Sequence, residues 1–512
     1  MDRISSGAFD LVVIGAGVHG ACVARDAALR GLRVAVLERG DLGGATSHNS
    51  LKTIHGGIRY IQHLNFSRTR LSIRERTIWL RTAPHLVRPL PFLMPTYGHG
   101  MRGPAAMFAG IMLYRLLGQG LGIGSADVPP GWVMGAGTCR EMMPGVPAHG
   151  LTGGAVWYDA QIRFADRAVL EILTDAAAHG ADVANYAEVT DILQADGVVT
   201  GVAVRDGLNG ETFEVGARLV INAAGPWARS LAADLPDAMV RVPLTRSMNI
   251  VTSRQAPDMA FSIKSARESD SKLGKTKRLY FMVPWEGVTV FGTTHFPAAD
   301  DTDPLETQAA EIAAFIVELN AAWPGLCLSM EEVTYAYRGL TPAEENDGQA
   351  SRSHESRVLD HAYEGGLEGL LSIIGVKWTT SRLVAEQAVD LVMDKLGAGG
   401  ACLTRTALIP KIPGMDYALA GKPKRQIWDI CQAHMTGTQT ITLRDMLLRR
   451  TNDFVRGLLS ADEIRIVAAA MGHHYGWDQK TCAQQAALVR DRWLPQDLHE
   501  LFESEGLFGG EA

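Results

Sequence analysis

One stretch, FDLVVIGAGVHGACVARDAALRGLRVAVLERGD (residues 9–41), restricts what this chain can fold into more than any other. LVVIG is a short apolar run of the kind that forms a buried strand. GAGVHG follows at once and supplies Gly15, Gly17 and Gly20. Helical spacing continues through ACVARDAALRG until Gly31 stops it, and RVAVLE makes a second strand that ends on Glu38. Gly15 permits the tight turn. Gly17 lets a pyrophosphate approach the backbone at the helix N-terminus, and Gly20 lets helix and strand pack closely. Glu38, with Arg39 beside it, stands where an acid accepts hydrogen bonds from a ribose 2′-hydroxyl. The stretch therefore predicts the opening unit of a Rossmann-type dinucleotide fold, which FAD and NAD share.

The rest of the chain decides between them. LVINAAGPWA (219–228) reads as an apolar strand ending in Ala-Ala-Gly-Pro, with Ala224 and Gly225, and resembles the stretch that returns the chain to the nucleotide domain in two-dinucleotide-fold flavoproteins. LLSIIGVKWTTSRLVAEQAVDLVMDKLG (370–397) reads as a strand, a turn at Gly375 and a long helix whose N-terminus suits an anionic part of a cofactor. Nucleotide-binding pieces split over so much chain favour FAD over NAD. Between them, residues 155–185 read as a turn and then a helix, and 187–222 as an antiparallel meander with turns at Asp196-Gly197 and Asn209-Gly210. VRVPLTRSMNIVTS, RLYFMVPWEGVTVFGTT and VTYAYRGLTP suggest a second sheet. Residues 264–278 are polar and charged and read as a solvated loop. After a Pro/Gly/Lys-rich linker the chain turns helical, with a capping box at Ser460 and Glu463.

The expected fold is thus α/β. A two-dinucleotide-binding-type FAD domain (1–408) is interleaved with a mixed-sheet substrate domain (about 90–150 and 240–345), and a helical C-terminal cap spans 425–512. A formal net charge of −7 argues against nucleic acid as a partner. Six scattered cysteines without a CxxC pair argue against a metal site. The N-terminus lacks a signal-peptide pattern, so a cytoplasmic location is expected. AAMFAGIMLYRLLG (105–118), interrupted by Arg115, reads as a core helix; its alternative is a patch that dips into a bilayer surface.

Six segments carry a resemblance: VIGAGVHGACVARDAALRGLRVAVLE, SLKTIHGGIRYIQ, INAAGPWA, MVPWEGVTVFGTT, GVKWTTSRLVAEQA and TLRDMLLRRTNDF. Together they make the chain similar to the flavin-dependent glycerol-3-phosphate dehydrogenases and oxidases, from about Phe9 to about Trp493. IHGGIRY is the most specific of them. The resemblance implies that Arg59, Tyr60 and Lys377 lie in a substrate pocket. It implies that Ser47, Ser50, Lys52, His55, Gly57, Trp378 and Thr379 line the flavin, with Lys377 reaching both. Gly56 and Gly57 are expected to let the backbone approach the isoalloxazine ring.

Four positions depart from the family pattern. Asn249 stands where a His is usual, His295 where an Asp is, Thr341 where an anion-gripping Arg is, and Val376 where a Gly is. Arg338, Arg163 and His295 are candidate replacements. The implied activity is FAD-dependent oxidation of the CH–OH of a small anionic alcohol, glycerol 3-phosphate or a related polyol phosphate. His55 and His295 are the base candidates, Arg59 assists in catalysis, and a quinone or oxygen accepts the electrons. A peripheral contact with the inner membrane face and a homodimer are further expectations. The alternatives are an amine, amino-acid or hydroxy-acid oxidoreductase of similar build, and a flavin-binding protein without turnover.

Overall fold

A computed structural model describes the chain except residues 1, 102, 122–127, 233–242, 256, 270–275, 298–308, 347–348, 353–355, 365, 491 and 509–512. Its first sheet has a parallel centre in the order Leu370–Ile374, Thr212–Asn222, Ala8–Ile14, Val34–Leu37, Asp182–Ala184. Helices Val18–Leu29, Ala165–Ala178 and Ser381–Leu396 cover one face and share a core with Leu11, Val13, Val36 and Ile221. Strands Ala187–Ala195 and Val198–Asp206 extend the sheet as an antiparallel flap, and Val202 and Val204 pack with Val12 and Ile14 on the other face. Being covered on both sides is why the first strand is continuously apolar rather than alternating. Thr212–Asn222 lies beside Ala8–Ile14, and Leu370–Ile374 pairs with the other edge of Thr212–Asn222.

The second sheet runs in the order Val333–Asn346, Leu244–Thr252, Val288–Pro297, Thr276–Trp285, Ala260–Ser269, Val87–Tyr97, Leu151–Ile162, Thr53–Ile54. Two sequence readings are corrected here. Residues 155–162 are strand, not turn: they pair with Val87–Tyr97 over the full length of Val87↔Ile162 to Tyr97↔Leu151. The expected loop at 264–278 is strand at both ends, with Lys264 opposite Leu279; residues 270–275 lie outside the described residues. Charge concealed the second of these, at 264–278, although Phe261, Ile263 and Tyr280 on one face of the ribbon are buried.

The C-terminal part is helical, through Lys424–Gly437, Ala461–Tyr475, Gln479–Arg490 and Gln496–Glu503. Ser460 and Glu463 form the expected reciprocal cap. These helices pack on Val251, Trp285, Val290 and Tyr337 of the second sheet. The helix Pro104–Leu117 is not a core helix. Only Ile111 and Tyr114 are buried, while Phe108 and Leu116 are 46% and 58% exposed on the opposite face.

Candidate cofactor and active site

The glycine loop is built as its spacing demands. Gly15 has φ +94°, and a Cβ there would come 2.8 Å from the carbonyl oxygen of Ala223, where the strand Thr212–Asn222 ends. A Cβ on Gly20 would lie 1.9 Å from the carbonyl oxygen of Gly15. Gly17 caps the helix Val18–Leu29, and a Cβ there would face Ser47 Oγ at 3.2 Å. Ser47 Oγ accepts the Val18 N–H at 2.9 Å. Glu38 accepts the N–H groups of Ala16 (2.8 Å) and Gly40 (2.9 Å) with its two oxygens. Burial pushes its carboxyl above the usual range against those two N–H groups. Each oxygen keeps a lone pair for a ribose hydroxyl. The Arg39 guanidinium lies 4.1 Å over the Trp227 ring, just past Ala224 and Gly225.

His19, between the second and third glycines, was not singled out by the sequence. Its ring lies against Gly375, whose added Cβ would come 2.4 Å from it. Nε2 of His19 is buried without a hydrogen-bond partner, and burial lowers the imidazole to about 4. His19 stands in the first turn of Val18–Leu29, so this orphaned atom lies where that helix begins and against the Gly375 turn that leads into Ser381–Leu396. That cradle fits a diphosphate, whose charge suits both helix ends.

The run 47–60 is tied to the turn at 375–380 at two points. Trp378 Nε1 donates to the Ser47 carbonyl at 3.1 Å, and the His55 N–H donates to Thr379 Oγ1 at 3.1 Å. Lys377 Nζ donates to Tyr60 Oη and lies 4.7 Å over its ring, and the His55 and Tyr60 rings are 6.0 Å apart. His55, Tyr60, Lys377 and Thr379 are therefore brought together. Arg59 projects from the turn Ile58–His63 into a neighbouring cavity.

The two glycines have a reason beyond the expected one. A Cβ on Gly56 would overlap Tyr114 Oη at 1.8 Å. Gly56 N–H donates to Asp159 Oδ1, which also holds Arg76 and Tyr114. Gly57 has φ +78°, and a Cβ there would strike the ring of Tyr60. Close packing within the protein by itself demands both.

Lys52 also differs. It is fully buried with φ +60°, its ammonium donates to the His48 carbonyl at 3.0 Å, and the Tyr337 ring lies 4.2 Å away. Burial pushes its amine down to about 8. Its side chain braces the loop from within.

Three of the departing positions, Asn249, His295 and Thr341, form two groups on the second sheet. Asn249 Oδ1 accepts from Thr293 Oγ1 (2.8 Å), and its Nδ2 donates to the Asn49 carbonyl (3.0 Å). Ser247 Oγ lies 3.0 Å from His295 Nδ1 and 3.1 Å from Thr341 Oγ1. Arg163 is no replacement anion grip, because Glu286 takes it in a bidentate pair at 2.6 Å. Arg338 is buried and lines a small cavity with His48, Asn49, Arg449 and Arg492, whereas Arg59 lines a different one. Val376 is buried, and its N–H donates to Ser356 Oγ at 3.0 Å.

One further network escaped the sequence. Asp41, at the head of the loop that leads to Ser47, receives Arg450 through two nitrogens (2.6 and 2.8 Å) and Arg449 Nε. Arg449 also pairs with Asp445, which accepts from Tyr186 at 2.8 Å. All of these charges are buried, so the helical cap is locked to the cofactor loop.

Residues 10–391 match the family described as FAD dependent oxidoreductase, and the chain belongs to it. Among curated proteins it is 33% identical to a glycerol-3-phosphate dehydrogenase of Synechocystis over 80% of this chain and 74% of that one. It is 33% identical to glycerol-3-phosphate dehydrogenase 2 of Mycobacterium tuberculosis over 77% of this chain and 65% of the relative. It is thus a member of the glycerol-3-phosphate dehydrogenase family of flavoproteins. The solved glycerol-3-phosphate dehydrogenase of Bacillus halodurans, complexed with FAD, superposes over 96% of this chain and 95% of its own with a TM-score of 0.72 at 23% identity. The L-alpha-glycerophosphate oxidase of Mycoplasma pneumoniae, with FAD bound, does so over 79% and 100% with a TM-score of 0.56 at 17% identity. Both likenesses bear on the fold, and the two-sheet flavoprotein architecture is theirs as well.

Proposed function

We propose that the chain oxidises the CH–OH of a small anionic alcohol of the glycerol 3-phosphate class and delivers the electrons to a quinone or to oxygen. The observation that carries this is the grouping of His55, Tyr60 and Lys377 beside the turn that meets the cofactor cradle. When bound, FAD supplies the two-electron acceptor. Gly15, Gly17, Gly20, His19 and the N–H groups of the 375–380 turn would hold its diphosphate. Glu38 would hold a ribose, and Ser47, Trp378 and Thr379 would border the ring system. His55 takes the hydroxyl proton, with His295 the second base candidate. Lys377, with Tyr60 as its hydrogen-bond partner, steadies the oxygen as negative charge develops on it. Arg59 meets the substrate's anion. Asn249 carries no proton-accepting nitrogen and its amide is committed to Asn49 and Thr293, so it positions the loop rather than acting as base.

Anaerobic flavin bleaching with glycerol 3-phosphate, polyol phosphates, hydroxy acids and amino acids tests the reading. Bleaching by an anionic alcohol is expected. Bleaching by amino acids alone would overturn it. Replacing Lys377 with Met should lower kcat/KM about 10- to 100-fold, the range of a lost charge-assisted hydrogen bond.

The same proposal includes peripheral membrane contact. No helix among the described residues is long and apolar enough to cross a membrane. The exposed face of Pro104–Leu117 carries Phe108 and Leu116, and Met101 just before it is 72% exposed. Phe108→Asp with Leu116→Asp should reduce sedimentation with lipid vesicles. Equal recovery of both proteins in the supernatant would refute this contact.

A further inference from the structure

The cavity that receives Arg59 is distinct in character from the cofactor cradle. The strands Val87–Tyr97 and Ala260–Ser269 pair only at Ala260↔Phe92 and Phe261↔Leu93. Beyond that point Met94, Pro95, Tyr97 and residues 262–264 line a cavity of about 110 Å³. Met94, Met107, Met143 and Trp323 supply apolar walls. Met143 and Trp323 are buried, and Trp323 is fixed by its Nε1 bond to the Pro144 carbonyl at 2.9 Å. Two cations, Arg59 and Lys264, line the same space. Arg59 and Gln62 are three residues apart on the 3-10 turn Ile58–His63, so they share the face toward this cavity. Tyr60, on an adjacent face of the same turn, reaches Lys377. One turn of chain thus joins the reacting cluster to an apolar, cationic recess.

Glycerol 3-phosphate has no apolar arm to place there. Methionine walls adapt to flexible hydrocarbon, and a cation at the boundary suits an anion that stays near water. We propose that the cavity takes the apolar arm of an amphipathic anionic alcohol, a glycerol phosphate bearing an alkyl or acyl substituent, with Arg59 and Lys264 holding its anionic group. This rests on the alcohol-oxidation reading and narrows its substrate class. The substituent leaves the secondary hydroxyl intact. Its C–H hydride and O–H proton are still the two groups removed, to FAD and to the base, and the product is the ketone.

The test uses the FAD-loaded protein with sn-glycerol 3-phosphate and 1-O-butyl-glycerol 3-phosphate. A buried methylene is worth several-fold in binding, so the butyl compound should be oxidised with a kcat/KM at least about tenfold higher. Met107→Trp, which fills the recess, should erase that advantage. Equal or faster oxidation of glycerol 3-phosphate, or an advantage that survives Met107→Trp, overturns the inference and leaves alcohol oxidation standing. If neither alcohol bleaches the flavin, the oxidation reading falls instead. Calorimetric binding of butyl phosphate against inorganic phosphate then decides the cavity by itself. Tighter binding of butyl phosphate that Met107→Trp abolishes sustains it, and equal binding overturns it.

Discussion

Replacing Asp41 with alanine is expected to lower the unfolding free energy by about 3–5 kcal/mol, the cost of stripping one partner from a buried ion pair. The variant leaves the guanidinium groups of Arg449 and Arg450 inside the protein without the carboxylate that both contact. The loss should appear as a lower denaturation midpoint and as faster release of FAD, since Asp41 heads the loop that carries Ser47. Acid should produce the same effect in the unmodified protein. Burial works to raise the Asp41 carboxyl, but Arg450 and Arg449 outweigh it and hold it well below the ordinary 3.8. A carboxyl depressed in the folded state contributes stability that is complete above its unfolded value and lost as pH falls toward its folded one. Stability should therefore decline below about pH 4, and Asp41→Ala should flatten that decline. An unchanged midpoint at pH 7 in the variant would show that the cap is held by its apolar packing alone.

Gly20→Ala should give a folded protein that has lost its yellow colour, with FAD affinity reduced at least about 100-fold. The new Cβ would sit 1.9 Å from a backbone oxygen, that of Gly15, which no side-chain rotation can relieve. The helix Val18–Leu29 must move away from the glycine loop, and its N-terminal N–H groups leave the diphosphate. Gly17→Ala should be milder for folding, because its Cβ meets only Ser47 Oγ at 3.2 Å, yet it fills the space a diphosphate needs. FAD released on denaturation, counted per mole of protein, measures both. Full FAD content in Gly20→Ala would mean that the loop yields at little cost.

The parallel core of the fold was legible because its signals are local. The glycine spacing, the apolar strand and the acid of residues 9–41 each follow from backbone rules that act within one turn. The helix-capping pair Ser460 and Glu463 was legible for the same reason. The strands at 155–162 and 264–278 were not: the first pairs with a strand about sixty residues earlier, and the second is dense in charged residues. The grouping of Tyr60 with Lys377 came only from resemblance, since 317 residues separate them. Glycines 56 and 57 were singled out, but the packing that demands them was hidden: Tyr114, Arg76 and Asp159, which crowd Gly56, look like ordinary residues until the strands assemble. Asp41 was passed over because an acid after a glycine reads as a turn residue. Its importance lies in two arginines near the other end of the chain.

That separation has a consequence for how the protein comes into being. Asp41 and Arg450 are 409 residues apart. A ribosome adding about 5–20 residues per second needs roughly 20–80 s to travel between them. For that interval the emerging chain holds its first strand and glycine loop but lacks the cations that fix the loop. It also lacks the turn at Gly375 that closes the cradle. Cofactor capture is thus a late event, completed after translation has passed the cap, and a polypeptide truncated before residue 449 should neither retain flavin nor be spared by proteases.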